Sequence, residues 1–177
     1  MNAESLRSIQ TPLKDGYREE PGKALATLKA QGRLGENVTC KVQTGRALVE
    51  AGLHPATGGT GLSVCSGDML LEALVACAGV TLAAVSTALG IEIRDGIVRA
   101  EGDLDFRGTL GVSKEAPVGL QRVRLFFDLD TNASEEELAA LVKLTERYCV
   151  VYQTLRQSPE MKMSVERRAG GNSRKAG

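Results

Sequence analysis

Met69-Leu70-Leu71-Glu72-Ala73-Leu74-Val75-Ala76-Cys77-Ala78-Gly79-Val80-Thr81-Leu82 is the longest apolar run of the chain, interrupted by one charge and carrying a cysteine near its middle. Strand-like segments flank it, so it reads as the central helix of a core, and Glu72 argues against a membrane span. Just upstream, Ser66 is the expected N-cap, with a hydroxyl able to accept from a free first-turn amide, and Asp68 adds a favourable charge at the positive helix end. Gly90 should stop the helix after Leu89. A helix that is apolar nearly all round calls for strands on one side and a second helix on the other.

That second helix is announced by Ser134-Glu135-Glu136-Glu137, a capping box in which Ser134 and Glu137 each satisfy the other's free amide. From there Leu138, Leu141, Val142, Thr145, Tyr148, Cys149, Tyr152 and Leu155 fall on one helical stripe, which predicts a helix continuing to Leu155 with Cys149 on its buried face. If the two helices pack together, the thiols of Cys77 and Cys149 meet.

Strands are expected at Ala24 to Ala30 and Val38 to Gln43, with Gly32, Gly35 and Asn37 supplying the turn between them, and at Arg46 to Glu50. The loop from His54 to Gly61 has a composition that excludes regular structure. Beyond the central helix, Ile91 to Arg94, Ile97 to Phe106 and Val123 to Leu129 alternate as strands, with Gly108 to Gly119 as a connecting loop. Arg122 and Arg124, flanking Val123, read as the solvated face of a strand. After Pro159, Met161, Met163 and Val165 alternate with polar residues as a final strand. The order of elements indicates an α+β architecture. Residues 1–22 read as a polar, aperiodic N-terminal segment, 23–167 as the folded domain and 168–177 as a disordered tail.

The 177 residues carry 22 basic and 22 acidic side chains, a balance that removes the attraction a nucleic-acid binder uses to release counterions. Met1-Asn2-Ala3-Glu4-Ser5-Leu6 lacks the basic segment and apolar stretch of a signal peptide, so a soluble, cytoplasmic protein is expected, with no membrane and no nucleic acid among its partners. The four cysteines, Cys40, Cys65, Cys77 and Cys149, would then be kept reduced, and they form no CxxC element for a zinc site. His54, the single histidine, reads as a turn residue before Pro55. Gly58-Gly59-Thr60-Gly61 lacks the lysine and context of a phosphate-binding loop.

Ser66-Gly67-Asp68-Met69-Leu70-Leu71-Glu72-Ala73-Leu74-Val75-Ala76-Cys77 and Glu146-Arg147-Tyr148-Cys149-Val150-Val151-Tyr152-Gln153-Thr154-Leu155, in that order and with fitting strands between, make the chain resemble the OsmC/Ohr family of thiol-dependent hydroperoxide reductases. The resemblance covers roughly residues 23 to 167. It implies an OsmC-like fold in which antiparallel sheets wrap two long central helices of an intertwined homodimer, with two active sites at the subunit interface. It further implies that Cys77 is the peroxidatic residue, attacking peroxide as thiolate, and that Cys149 resolves the sulfenic acid into a disulfide, which a thiol or dithiol reductant then reopens. No cofactor and no metal are called for.

The family also supplies an arginine, held by a glutamate near the start of the central helix, to stabilise the thiolate. Gly67 stands ten residues before Cys77, and the nearest carboxylates are Asp68 and Glu72. Arg46 is the first choice for the cation and Arg147, beside Cys149, the second. Glu72 has a plainer reading, as the partner of a basic side chain. The family often has proline directly after the second cysteine, where this chain has Val150. Cys40 and Cys65 match no family position and read as structural. The function expected is reduction of organic, and also inorganic, hydroperoxides in oxidative-stress defence, at a site lined by Leu70, Leu74, Val80 and the second helix. The alternative is a non-peroxidatic dimeric binding or redox-sensing protein of the same fold. A third reading takes the thiols as inert packing groups.

Overall fold

A computed structural model describes residues 2–20, 32–34, 39–44, 47–111 and 113–166 of the chain. The expected strand at 24–30, Arg46 and the tail beyond 166 lie outside the described residues.

The central helix, α2, spans Ser66–Leu89. It ends as the sequence predicts, at Gly90, whose φ of 73° is a left-handed conformation open to glycine and whose N–H reaches the carbonyls of Ser86 and Thr87. Its start differs. Cys65, not Ser66, occupies the N-cap, with no side-chain cap bond. The cause lies just upstream: β4 (Val64–Cys65) pairs in parallel with β3 (Ala47–Gly52), which holds Cys65 extended and leaves Ser66 as the first helical residue. Asp68 does fall in the first turn.

β3 continues a meander with β2 (Thr39–Thr44) and β1 (Gly32–Leu34), giving a four-stranded sheet in the order β1-β2-β3-β4. Gly32, expected in a turn, instead pairs with Val42, and Leu34 with Cys40. The loop after β3 holds one turn of 3-10 helix, Pro55–Thr57, where none was expected. His54 caps it by accepting from the amide of Ala56 through Nδ1, and the imidazole stacks on Phe106.

β5 (Ile93–Leu104) and β6 (Leu120–Thr131) form a separate antiparallel ribbon, with Val98 opposite Phe127 and Ala100 opposite Leu125. The two short strands expected after α2 are thus one, and Phe106 belongs to a four-residue helix, α3 (Phe106–Thr109), capped by Asp105. Alternation sorts the ribbon's faces. Val98, Ala100, Leu125 and Phe127 turn to the core, while Arg124 on the outer face bonds Glu101 and Asp103 across the strands.

Helix α4 (Glu135–Tyr148) starts with the expected capping box: Glu137 N–H donates to Ser134 Oγ at 3.3 Å and Ser134 N–H to Glu137 Oε2 at 2.8 Å. It does not run on to Leu155. It stops at Cys149, and a second helix, α5 (Val150–Arg156), follows directly. Leu74, Ala78, Leu82 and Ser86, four residues apart, form the buried stripe of α2, packed against α4, α5 and β5. The rest of α2 is less covered than its composition suggests: Val80 is 73% exposed.

Two terminal expectations are overturned. Residues read as aperiodic form a helix, α1 (Ala3–Glu19), capped by Asn2, whose Oδ1 accepts from Ser5 N at 2.8 Å. The cap starts the helix, which runs on through Pro12. Conversely, Met161, Met163 and Val165 form no strand, and Met163 is 97% exposed. An alternating segment becomes a strand only beside a sheet edge, and none of the described strands pairs with this one.

Candidate active site

Two of the three described cysteine side chains come together. Cys149 is fully buried in a cluster with Leu74 and Ala78, and the half-buried Cys77 packs against it. Both are free thiols. α2 supplies Cys77 and the junction of α4 with α5 supplies Cys149, from segments 72 residues apart in sequence.

The junction itself shapes the site. Cys149 has φ −72° and ψ 108°, an extended conformation that serves at once as C-cap of α4 and N-cap of α5. Its N–H still donates to Thr145 O at 2.9 Å, and its carbonyl still accepts from Gln153 N at 3.0 Å. The break therefore spares the amides of Val150 and Val151, which act on the Cys77 sulfur. Two successive β-branched residues weaken the helix at this point. Val150 is also the first residue of α5, a position where proline is favoured.

The thiols are driven apart in acidity. Burial pushes Cys77 up, but the Val151 amide, the Cys149 thiol, the Val150 amide and the Thr81 hydroxyl together hold it below the ordinary thiol value. Burial pushes Cys149 up as well, and although the amides of Tyr152 and Val151 oppose this, the neighbouring Cys77 adds to it, so Cys149 stays above the ordinary value. The pair is thus biased so that Cys77 gives up its proton more readily than Cys149, whose thiol can donate to it. Thr81 Oγ1 lies 2.8 Å from the carbonyl of Cys77, so its single proton serves either that carbonyl or the sulfur.

None of these influences on Cys77 comes from an arginine or a carboxylate. Arg147 turns away and lies over the ring of Tyr148, 5.5 Å from its centroid. At roughly 100° per residue, Asp68 and Glu72 stand about 180° and 140° around α2 from Cys77. They line a different cleft, of about 370 Å³, with Leu71, Val75, Ala76 and Ala100. Within one chain the expected carboxylates therefore do not meet the thiol, because the periodicity of the helix carries them to its other side.

An apolar cleft of about 250 Å³ opens over Cys149, walled by Val123, Leu125, Phe127 and Val142, with Thr145, Glu146 and Tyr152 at its polar side. A second, of about 300 Å³, shares Val123, Leu125 and Tyr152 and reaches Leu74, Leu155 and Arg156. Leu74 is thus near the site as expected. Leu70 and Val80 line neither cleft and are exposed.

Sequence reasoning missed the group that braces the junction. Glu146, on α4, accepts the Tyr152 hydroxyl at 2.6 Å and Arg156 at 3.2 Å through Oε1, and its carbonyl accepts Gln153 Nε2 at 2.7 Å, all three partners lying on α5. Spacings of 6, 7 and 10 residues are not the three and four at which side chains of one helix touch, so periodicity hid it. The signal available was Val150-Val151, a β-branched pair inside an otherwise helical stretch.

The fold has relatives. A crystal structure of an OsmC-like protein from Mycoplasma pneumoniae superposes with a TM-score of 0.64 at 16% identity, over 75% of this chain and 89% of that one. An organic hydroperoxide resistance protein OsmC from Legionella pneumophila gives 0.60 at 20% identity, over 75% and 91%. An organic hydroperoxide resistance protein from Elizabethkingia anophelis gives 0.61 at 19%, over 76% and 91%. At these identities the likeness is one of fold. No curated protein matches the chain in sequence. The sequence pattern described as OsmC-like protein matches residues 59–164, a span that holds both cysteines, the junction between α4 and α5 and the ribbon beneath them. By that match the chain belongs to the OsmC-like family.

Proposed function

We propose that this protein is a thiol peroxidase that reduces organic hydroperoxides, and inorganic ones by the same step, through Cys77 with Cys149 resolving. The observation that carries the reading is the polarity of the buried pair: Cys77 is lowered, Cys149 is raised, and the two are in contact. Cys77 thiolate attacks the outer peroxide oxygen, the O–O bond breaks, and Cys77 becomes a sulfenic acid while the leaving alkoxide takes a proton and departs as alcohol. The Cys149 thiol, having given up its proton, then attacks the sulfenic sulfur, forms the disulfide and releases hydroxide, which solvent protonates to water. In balance, one thiolate, one thiol and ROOH give one disulfide, ROH and hydroxide. A small thiol or dithiol reductant reopens the disulfide by exchange.

The active form we propose is a homodimer in the cytoplasm. Ala73, Ala76, Val80 and Ala83 leave an exposed apolar stripe along α2, and among the described residues the edges of the β5–β6 ribbon carry no third strand and Met161 to Val165 alternate without a partner strand. A second copy supplies cover for all three. It also offers a route for an arginine or carboxylate to approach Cys77 from outside its own chain.

The competing reading, a non-peroxidatic binding or redox-sensing dimer, draws on the same site: among the described residues Cys77 is eased toward thiolate by two amides, a thiol and a hydroxyl, with no cation, and Gly67 stands ten residues before it. A thiol count before and after one equivalent of organic hydroperoxide, with mapping of any disulfide, separates the two. Rapid loss of two thiols with a Cys77–Cys149 link is the result expected. Unchanged thiols favour the binding protein.

A further inference from the structure

Cys77 and Cys149 are free thiols in contact, and each is held by a packed element: Cys77 by α2, and Cys149 by the junction of α4 and α5, both of which pack on α2. Leu74, Ala78, Val98, Leu125, Phe127 and Val151 surround the pair with apolar surface. Among the described residues no group of three histidine, cysteine or carboxylate side chains is placed to hold a metal ion. Cys65, at the start of α2, lies about 18 Å from Cys77 along the helix axis. The pair therefore presents two sulfurs to a metal ion and no third ligand from the described side chains. It is also reachable, because Cys77 is half-buried beside the exposed Ala73, Ala76 and Val80.

Such a donor set is selective. Calcium and magnesium demand a shell of oxygen ligands and zinc a tetrahedral set, whereas Cu(I), a soft monovalent cation, favours thiolates and is satisfied by two of them in line. We propose that the reduced Cys77–Cys149 pair binds one Cu(I) ion as a linear bis-thiolate. The Cys77 thiolate and the Cys149 thiol become two thiolates on the ion, one proton passes to solvent, and copper stays monovalent, so no electron changes hands. Little movement is required: a disulfide needs the sulfurs to close to about 2 Å, but two metal–sulfur bonds of about 2.3 Å leave them near contact distance. The amides of Val150 and Val151, which act on the Cys77 sulfur, offset the negative charge of the complex. One sulfur lone pair cannot serve copper and a peroxide together, so bound Cu(I) blocks oxidation of Cys77. The inference goes beyond the peroxidase reading and does not depend on it.

The test is anaerobic titration of the intact, reduced protein with Cu(I) against the chelator bathocuproine disulfonate, followed by copper X-ray absorption on the loaded protein. The unchanged protein should take up one Cu(I) per chain, and the absorption spectrum should show two sulfur neighbours in line and no nitrogen or oxygen. Cys77→Ser and Cys149→Ser should each weaken uptake by about 100-fold or more, since each leaves one thiolate where two acted together. The double change Cys40→Ser with Cys65→Ser should leave uptake intact. Zn(II) at the same concentration should displace none of the copper. The site is overturned if the unchanged protein takes no Cu(I) from the chelator, if either single variant binds as tightly as the unchanged protein, if the double variant loses the metal, if zinc displaces it, or if the spectrum shows three or four ligands. The spectrum of the unchanged protein decides the matter even where a serine variant fails to fold. Because the titration contains no hydroperoxide, a protein that binds Cu(I) in this way and consumes no hydroperoxide would remove the peroxidase reading and leave the metal site standing.

Discussion

The Cys149 thiol, fully buried against Cys77, donates to its neighbour and so holds the Cys77 pKa down, while its own pKa is raised by burial first and by Cys77 second. The two ionisations are therefore linked, and in the proposed reaction the amides of Val150 and Val151 would favour Cys77 as attacker and Cys149 as resolver.

Alkylation of Cys77 by iodoacetamide should report this directly. The thiolate is the reactive form, so a lowered pKa shifts the rate-against-pH curve toward acid, with its midpoint below that of an ordinary cysteine thiol. Cys149→Ala removes a donor and should move the midpoint upward, whereas Cys149→Ser keeps a donor and should move it less. A midpoint in Cys149→Ala equal to that of the unchanged protein would contradict the coupling.

Substitution should also split the reaction. Cys77→Ser is expected to abolish hydroperoxide consumption. Cys149→Ser should allow the first turnover and stop there, with a sulfenic acid trapped by dimedone at Cys77 and no disulfide found by mass spectrometry.

The brace at the junction should tune the site from outside it. Tyr152→Phe deletes only the hydroxyl that bonds Glu146 at 2.6 Å. The expected loss of stability is about 0.5–1.5 kcal/mol, read by denaturant titration. If the brace positions the junction, the Cys77 alkylation midpoint rises as well, because the Val150 and Val151 amides are held less firmly. Loss of stability with no change in midpoint would confine Tyr152 to a structural role. Glu146→Gln, whose amide oxygen still accepts from Tyr152, should lie closer to the unchanged protein than Tyr152→Phe.

Val80→Lys places a charge in the middle of the bare stripe of α2, where Val80 is 73% exposed. If two copies meet there, this change should convert a dimer into monomers in analytical ultracentrifugation, since an unpaired charge buried at an interface is strongly unfavourable. An unchanged sedimentation profile would put the interface elsewhere.

The local signals were readable: the Ser134–Glu137 box, Gly90 as a stop and the apolar run around Cys77 are written in adjacent residues, and each produces the element expected of it. The junction at Cys149 was not, because Tyr152 and Leu155 keep the apolar phase of α4 across the break and periodicity alone reads straight through it. The groups that ease Cys77 toward thiolate were hidden for a different reason. They are largely backbone amides, and an amide has no letter of its own in a sequence. Helix α1 was masked by Pro12, which reads as a breaker unless the cap at Asn2 is weighed against it. Alternation at Met161 to Val165 is a demand for a neighbouring strand, and a single chain does not contain the answer among its described residues.

Val64 and Cys65, bonded to the edge of the four-stranded sheet, pass into α2 with no intervening loop. The twelve residues from Cys65 to Cys77 make a rigid strut of about 18 Å. A push on the sheet is therefore transmitted to the thiol as axial displacement or rotation of one rod, with no flexible joint to absorb it. Displacement of the four-stranded sheet's edge would thus move Cys77 with it.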